Sequence, residues 1–436
     1  MILEVDDLAG SGGGSCCEIV VRWEATGRAE QRVGWRVEQI GGVSESAEAA
    51  ETGVEGEEPA TAAAARVLEA TLVAALMPAI ELGERRILVR GRVCPLLSQN
   101  LRVAGLTMQG WRRGSGHAAI EIEADGFEER APADGAAALF SGGVDAACLL
   151  ADNAERFGEA SPHRVRHAIL VDGFDIGGFH ADPDGSMMAR SAETCRAMLA
   201  PRGVRLWVVR TNLIELLRDN GFWERAHHGA GCAAAAHVLK DRFGRASIGS
   251  TFRADRIEPW GSHAVMDHWF SSADLSVLHH GADLTRFEKT RVVSRHPELL
   301  ARLQVCFVPE KARPAGYLNC GRCGKCVRTK IALELLGAGQ PEGLFQTREL
   351  EGRHIERLPL NEYGAAAYRE MIAAADESVA EHRRLAEAMR GALRRYARSQ
   401  RVRRVDRALS GGRAVPLAVR AGRRAGREVR KLRGVG

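Results

Sequence analysis

The chain has 436 residues, of which 45% are hydrophobic and 27% charged, with a formal net charge of +5; this length predicts two domains and a tail rather than one domain. No run of about 18 apolar residues and no basic, apolar, small-residue start is evident, so neither a membrane span nor a secretory leader is expected, and a cytoplasmic protein is. Ten cysteines are too dilute for a disulfide scaffold.

Charge is unevenly distributed. From Arg383 onward, 18 Lys and Arg face only Glu387, Asp406 and Glu428, which gives that segment +15 and the remainder −10. An acidic body with a basic tail is the better description.

Residues 1–130 read as a small α+β domain. Cys16 to Ala25 and Arg32 to Ile40 alternate as paired strands would, and the adjacent Cys16 and Cys17 point to opposite faces. Residues 45–58 are an acidic loop. Residues 61–82 form an alanine- and leucine-rich helix, broken or bent at Pro78. A strand (85–91), a helix (94–106) and another strand (117–125) follow. No catalytic constellation is present, and no cysteine nucleophile stands near the start.

From about residue 131 strand and helix alternate regularly, which predicts an α/β domain, a parallel sheet with helices on both faces, over 131–340. Its key stretch is 136–150, AAALFSGGVDAACLL. An apolar strand runs into Ser141-Gly142-Gly143-Val144-Asp145 and then a helix. Adjacent glycines let the backbone approach a ligand, and the free N–H groups of the helix start favour a phosphate. Asp145 is placed to orient the turn or to hold a magnesium ion. Neither G-x-x-x-x-G-K-[ST] nor G-x-G-x-x-G is present.

This SGGVD turn after an apolar strand resembles the PP-loop of the N-type ATP pyrophosphatases, whose usual pattern is SGGxDS. Here Ala146 replaces the second serine, which removes one hydroxyl donor. The resemblance implies an adenine-nucleotide alpha-hydrolase-like fold, with ATP and Mg2+ as cofactors and Ser141, Gly142 and Gly143 as the pyrophosphate cradle.

Further strands are expected at 167–176, 205–212 and 246–252, with helices at 186–199 and 213–218 and a long alanine-rich one before 246. Their ends supply Asp172 and Ser250 as candidates for the nucleotide pocket. His227 and His228 read as exposed or capping residues. Residues 254–290 read as an irregular functional loop, in which His263, His268, His279 and His280 lack metal-ligand spacing. Arg286, Glu288 and Lys289 begin a helix. By resemblance to the PP-loop enzymes, Lys289 neutralises phosphates.

Cys306, Cys320, Cys323 and Cys326 form C-x13-C-x2-C-x2-C, with Gly321 and Gly324 freeing the backbone to wrap an ion. Four thiolates suit a structural zinc. They also hold iron–sulfur clusters, although the bacterial C-x2-C-x2-C-x3-C-P run is absent. A late four-cysteine site resembles the 7-cyano-7-deazaguanine synthase branch of the same family. The interval from Cys306 to Cys320 is longer than in that branch, and residues 1–130 have no counterpart there.

Residues 341–436 read as a helical segment and an arginine-rich tail, with Leu385, Met389 and Leu393 as an apolar stripe. The tail suits RNA, an acidic partner or a membrane surface. The resemblance implies an ATP-dependent, AMP-forming ligase of amidotransferase type. It would adenylate a carbonyl or carboxylate of a small or carrier-bound substrate, release pyrophosphate and transfer nitrogen, with a separate donor protein supplying the nitrogen or sulfur. Two alternatives stand beside it: a PP-loop sulfur transferase acting on tRNA or a small molecule, and a non-catalytic nucleotide-binding regulator. Sulfur transfer needs a reactive thiol, yet Cys148, Cys195 and Cys232 fall in expected helices.

Overall fold

The computed structural model describes residues 1–7, 16–40, 60–306 and 317–410. The acidic loop at 45–58 and the glycine- and arginine-rich stretch beyond 410 lie outside them. The chain divides into two compact units, one of Met1–Asn319 with Pro341–Leu344 and one of Cys320–Gln340 with Phe345–Gly436.

The first unit is α/β and is built on a single ten-stranded sheet. Its strands are β1 (Ile2–Asp7), β2 (Cys16–Arg22), β3 (Gln31–Ile40), β4 (Arg86–Val93), β5 (Glu121–Phe127), β6 (Ala136–Leu139), β7 (Val165–Asp172), β8 (Arg205–Thr211), β9 (Arg245–Gly249) and β10 (Ser276–His280). They lie in the order β10-β9-β6-β7-β8-β3-β2-β1-β4-β5. All pairs from β10 to β8 are parallel. β3 joins β8 antiparallel, from Trp35 opposite Thr211 to Ile40 opposite Leu206. The strands of residues 1–130 therefore continue the sheet rather than building one of their own. A short alternating strand is recognisable locally, but nothing in it names a partner some 170 residues away.

Around the sheet lie α1 (Ala60–Leu82), α2 (Pro95–Arg113), α3 (Val144–Arg156), α4 (Ser186–Leu199), α5 (His228–His237) and α6 (Arg286–Ser294), besides single-turn helices. β10 lies inside the segment read as irregular. Its five residues, SVLHH, pair only with β9, and two polar histidines interrupt the apolar pattern by which a strand is recognised.

Helix α1 is long and apolar enough to cross a membrane by length and composition, yet 83% of that window is buried inside the fold. Among the described residues it is the only such helix. It continues through Pro78 as one helix, so of the break or bend expected there the break is absent. Proline has no N–H to give to the carbonyl four residues back, Ala74. His227 supplies the missing donor, its Nε2 lying 2.7 Å from Ala74 O. His227 is therefore fully buried, not exposed or capping, and its Nε2 carries the hydrogen because a carbonyl only accepts. Burial lowers its pKa to about 4. His228 is half-buried, with Nδ1 3.1 Å from Trp223 O.

The second unit is helical: α7 (Gly324–Leu335), α8 (Gly352–Arg357), α9 (Glu362–Ala374) and α10 (Ala380–Ser410). Leu385, Ala386, Met389 and Ala392 are its buried seam on α10, while Leu393 is half-buried.

Candidate functional site

The chain passes from β6 to β7 and β8 on one side, then returns to place β9 and β10 on the other. β6 and β9 thus flank a topological switch point, and ligands of open α/β sheets bind in the crevice outside such strand ends. Ser141 follows β6 and Ser250 follows β9. Gly142 has φ +71°, a left-handed conformation that side chains rarely adopt, and a Cβ there would stand 2.8 Å from Gln304 Nε2. Its carbonyl accepts the backbone N–H of Gln304 at 2.8 Å. Gly143 is the N-cap of α3, and no side chain caps the helix. An uncapped start leaves first-turn N–H groups without a side-chain acceptor, where the dipole favours an anion.

Asp145 is the acid of that first turn. Arg286 Nη1 pairs with its Oδ2, and Lys289 Nζ lies 3.8 Å from its Oδ1. Both cations come from α6, one turn apart on a shared face. The helix is anchored by a reciprocal capping box, in which Thr285 accepts from Glu288 N and Glu288 accepts from Thr285 N. Lys289 is buried and donates to both the carbonyl and the hydroxyl of Ser250, each at 2.5 Å. Ser250 Oγ in turn donates to Gly281 O at 2.7 Å. Burial lowers the Lys289 pKa and the nearby Asp145 charge opposes that shift. Asp145, Lys289 and Ser250 are thus brought together at the glycine turn.

Asp172 ends β7 in a different set of contacts, 3.3 Å from Arg210 Nε. Burial raises its pKa against the pull of Arg210. A groove of about 440 Å³ opens alongside α3 and β10. Asp152, Arg156, Arg245, His280 and Asp283 line it, and so does Gly281, which lies against Ser250 and Lys289. His280 Nε2 is 2.8 Å from Asp152 Oδ2, whereas His279 Nδ1 and the Ser262 hydroxyl bond Asp267 Oδ2 at 2.7 Å each. His279 and His280 thus pair with separate carboxylates, while His263 Nε2 lies 3.0 Å from the Arg256 carbonyl. The thiols of Cys148, Cys195 and Cys232 are each pushed up to about 12 by burial.

The sulfur atoms of Cys306, Cys320, Cys323 and Cys326 all lie within 4.8 Å of one another, and among the described residues they are the one group of this kind. A tetrahedral zinc with Zn–S of about 2.3 Å would space its sulfurs about 3.8 Å apart. Cys320 and Cys326 are 3.8 Å apart, and Cys323 and Cys326 3.4 Å. Backbone N–H groups of Arg322 and Cys323 point at Cys320 Sγ at 3.4 and 3.3 Å, as suits an anionic sulfur. Gly321 has φ +73°, and a Cβ there would meet Thr347 O at 2.2 Å, so the knuckle requires glycine. The donor set and its spacing fit a metal such as zinc.

No family model, curated protein or solved structure matches the chain. Sequence reading assigned no role to two residues of the site. Arg286 was legible through its three-residue spacing from Lys289, while Gln304 sits in no motif and is found only through its bond to Gly142.

Proposed function

We propose that the chain is an ATP-dependent, AMP-forming enzyme of the PP-loop type. The observation that carries this reading is the convergence of Asp145, Arg286 and Lys289 on an uncapped glycine turn at the sheet's switch point. In this reading the turn's N–H groups and Ser141 receive the pyrophosphate part of ATP. Lys289, held in place by Ser250, sets a fixed positive charge beside it. Preorganised charge of this kind favours a leaving group on which negative charge grows.

Asp145 would hold a magnesium ion, which supplies charge neutralisation at the phosphates. Arg286 then has to leave Asp145, and the phosphates offer it a new anionic partner. The acceptor, a carbonyl or carboxylate compound, takes the groove beside α3, whose wall shares Gly281 with the Lys289 and Ser250 contact. Nitrogen transfer is favoured over sulfur transfer because burial keeps the Cys148, Cys195 and Cys232 thiols protonated. The four-cysteine metal is structural.

Release of AMP and pyrophosphate from ATP and Mg2+ with pooled carboxylates tests the reading, with Asp145→Ala beside the natural chain. Dependence on Asp145 is the expected result. Formation of ADP and phosphate overturns it.

A further inference from the structure

Arg286 and Lys289 reach the same carboxylate from one helix, and they are held very differently. The Lys289 side chain is 2% exposed and donates twice to Ser250, so it cannot turn away without losing both bonds. The Arg286 side chain is 35% exposed, and among the described residues its guanidinium hydrogen-bonds Asp145 alone. The backbone beneath it is fixed by the capping box of Thr285 and Glu288. A change of partner therefore takes a side-chain rotation and no movement of α6. Arg286 is also the first residue of that helix, where a cation opposes the helix dipole unless an anion stands beside it.

Charge sets what can enter. Asp145 faces both Arg286 and Lys289, which leaves the turn net positive even before the dipole of α3 is added. Such a site disfavours a bare divalent cation and favours a polyanion. Yet Asp145 Oδ1 is buried and accepts no hydrogen bond, and a carboxylate oxygen of this kind suits Mg2+. Phosphates and Asp145 thus compete for one arginine, and a cation at Asp145 ends the competition.

We propose that Arg286 is an exchangeable cation, which neutralises Asp145 until metal and nucleotide arrive together and then moves to a phosphate oxygen. This rests on the nucleotide reading of the glycine turn and adds a coupling to it: Mg2+ tightens ATP binding partly by releasing Arg286. Asp145→Asn releases the same arginine, so it should tighten ATP binding in the absence of metal.

Calorimetric titration with ATP tests this in three settings: the natural chain in EDTA, the natural chain in Mg2+, and Asp145→Asn in EDTA. Arg286→Gln is added to each. With Asp145 present and no metal, the arginine is occupied, and its loss should change affinity only through long-range charge, by less than about threefold. In the other two settings it lies on a phosphate, and its loss should weaken binding at least about tenfold, the scale of one hydrogen bond to a charged group. Equal losses in all three settings overturn the exchange. So does a gain from Asp145→Asn that is the same whether or not Arg286 is present, because removal of a repelling charge then accounts for it. Should Asp145→Asn fail to fold, the comparison of EDTA with Mg2+ needs only the half-exposed Arg286 changed, and equal losses there overturn the exchange as well. Failure of the natural chain to bind ATP in Mg2+ overturns the nucleotide reading and the exchange with it.

Discussion

Lys289 gives hydrogen bonds to both the carbonyl and the hydroxyl of Ser250, each at 2.5 Å, while standing 3.8 Å from Asp145. The lysine of α6 is thereby fixed over the turn that joins β6 to α3. Lys289→Met should lower AMP-forming turnover by about 100-fold, the scale seen when one preorganised donor is removed. Burial lowers the pKa of Lys289 below its ordinary 10.5. Activity should therefore fall as pH rises through that lowered value. Stability moves the other way: in that window the unfolded chain binds more protons than the folded one, so the lysine's contribution to stability rises with pH up to about 10.5. Turnover and unfolding measured against pH separate the two effects, and Lys289→Met should abolish both dependences.

Gly142→Ala should weaken nucleotide binding roughly tenfold. The left-handed backbone costs a non-glycine residue about 1–2 kcal/mol, and a Cβ 2.8 Å from Gln304 Nε2 must push that side chain aside. Calorimetric titration with ATP checks this. Unchanged affinity would detach the turn from the nucleotide.

Ala146→Ser restores the hydroxyl of the SGGxDS pattern. One added hydrogen bond is worth about 0.5–1.5 kcal/mol, so pyrophosphate release should rise by no more than about tenfold. Activity that appears only in this variant would favour the regulatory alternative.

His227 and Pro78 should be coupled. His227→Phe leaves the Ala74 carbonyl buried without its donor, at about 1–3 kcal/mol. Pro78→Ala returns a backbone N–H to that carbonyl, so the same histidine substitution should cost less in the double variant. Denaturant unfolding of the four chains gives the coupling. His167, His227 and His237 each have a pKa lowered to about 4 by burial. Unfolded histidines titrate near 6.5 and take up protons the folded ones refuse, so stability should fall as pH drops from about 6.5 towards 4. His227→Phe should make that fall shallower.

Zinc analysis of the purified chain should find one ion per molecule, and Cys326→Ala should lose it. Chelation should expose the Cys320, Cys323 and Cys326 thiols to alkylation. Retention of metal by the alanine variant would rule out this four-sulfur site.

Local chemistry wrote several features directly into the amino-acid sequence. The apolar run, paired glycines and helix of 136–150 identify the turn, because torsions and strand-to-helix switching depend on neighbouring residues. The three-residue steps of Cys320, Cys323 and Cys326 bring sulfurs together for the same reason. Arg286 and Lys289 share a face by helical spacing alone. Tertiary structure decided what depends on distant partners: β3 pairing with β8, the short strand β10 beside β9, His227 answering the carbonyl that Pro78 leaves without a donor, and Ser250 meeting Lys289. Each of these is a hydrogen bond between groups far apart in sequence. No residue pattern encodes the distance such a bond spans, and its partner is fixed only when the sheet has formed.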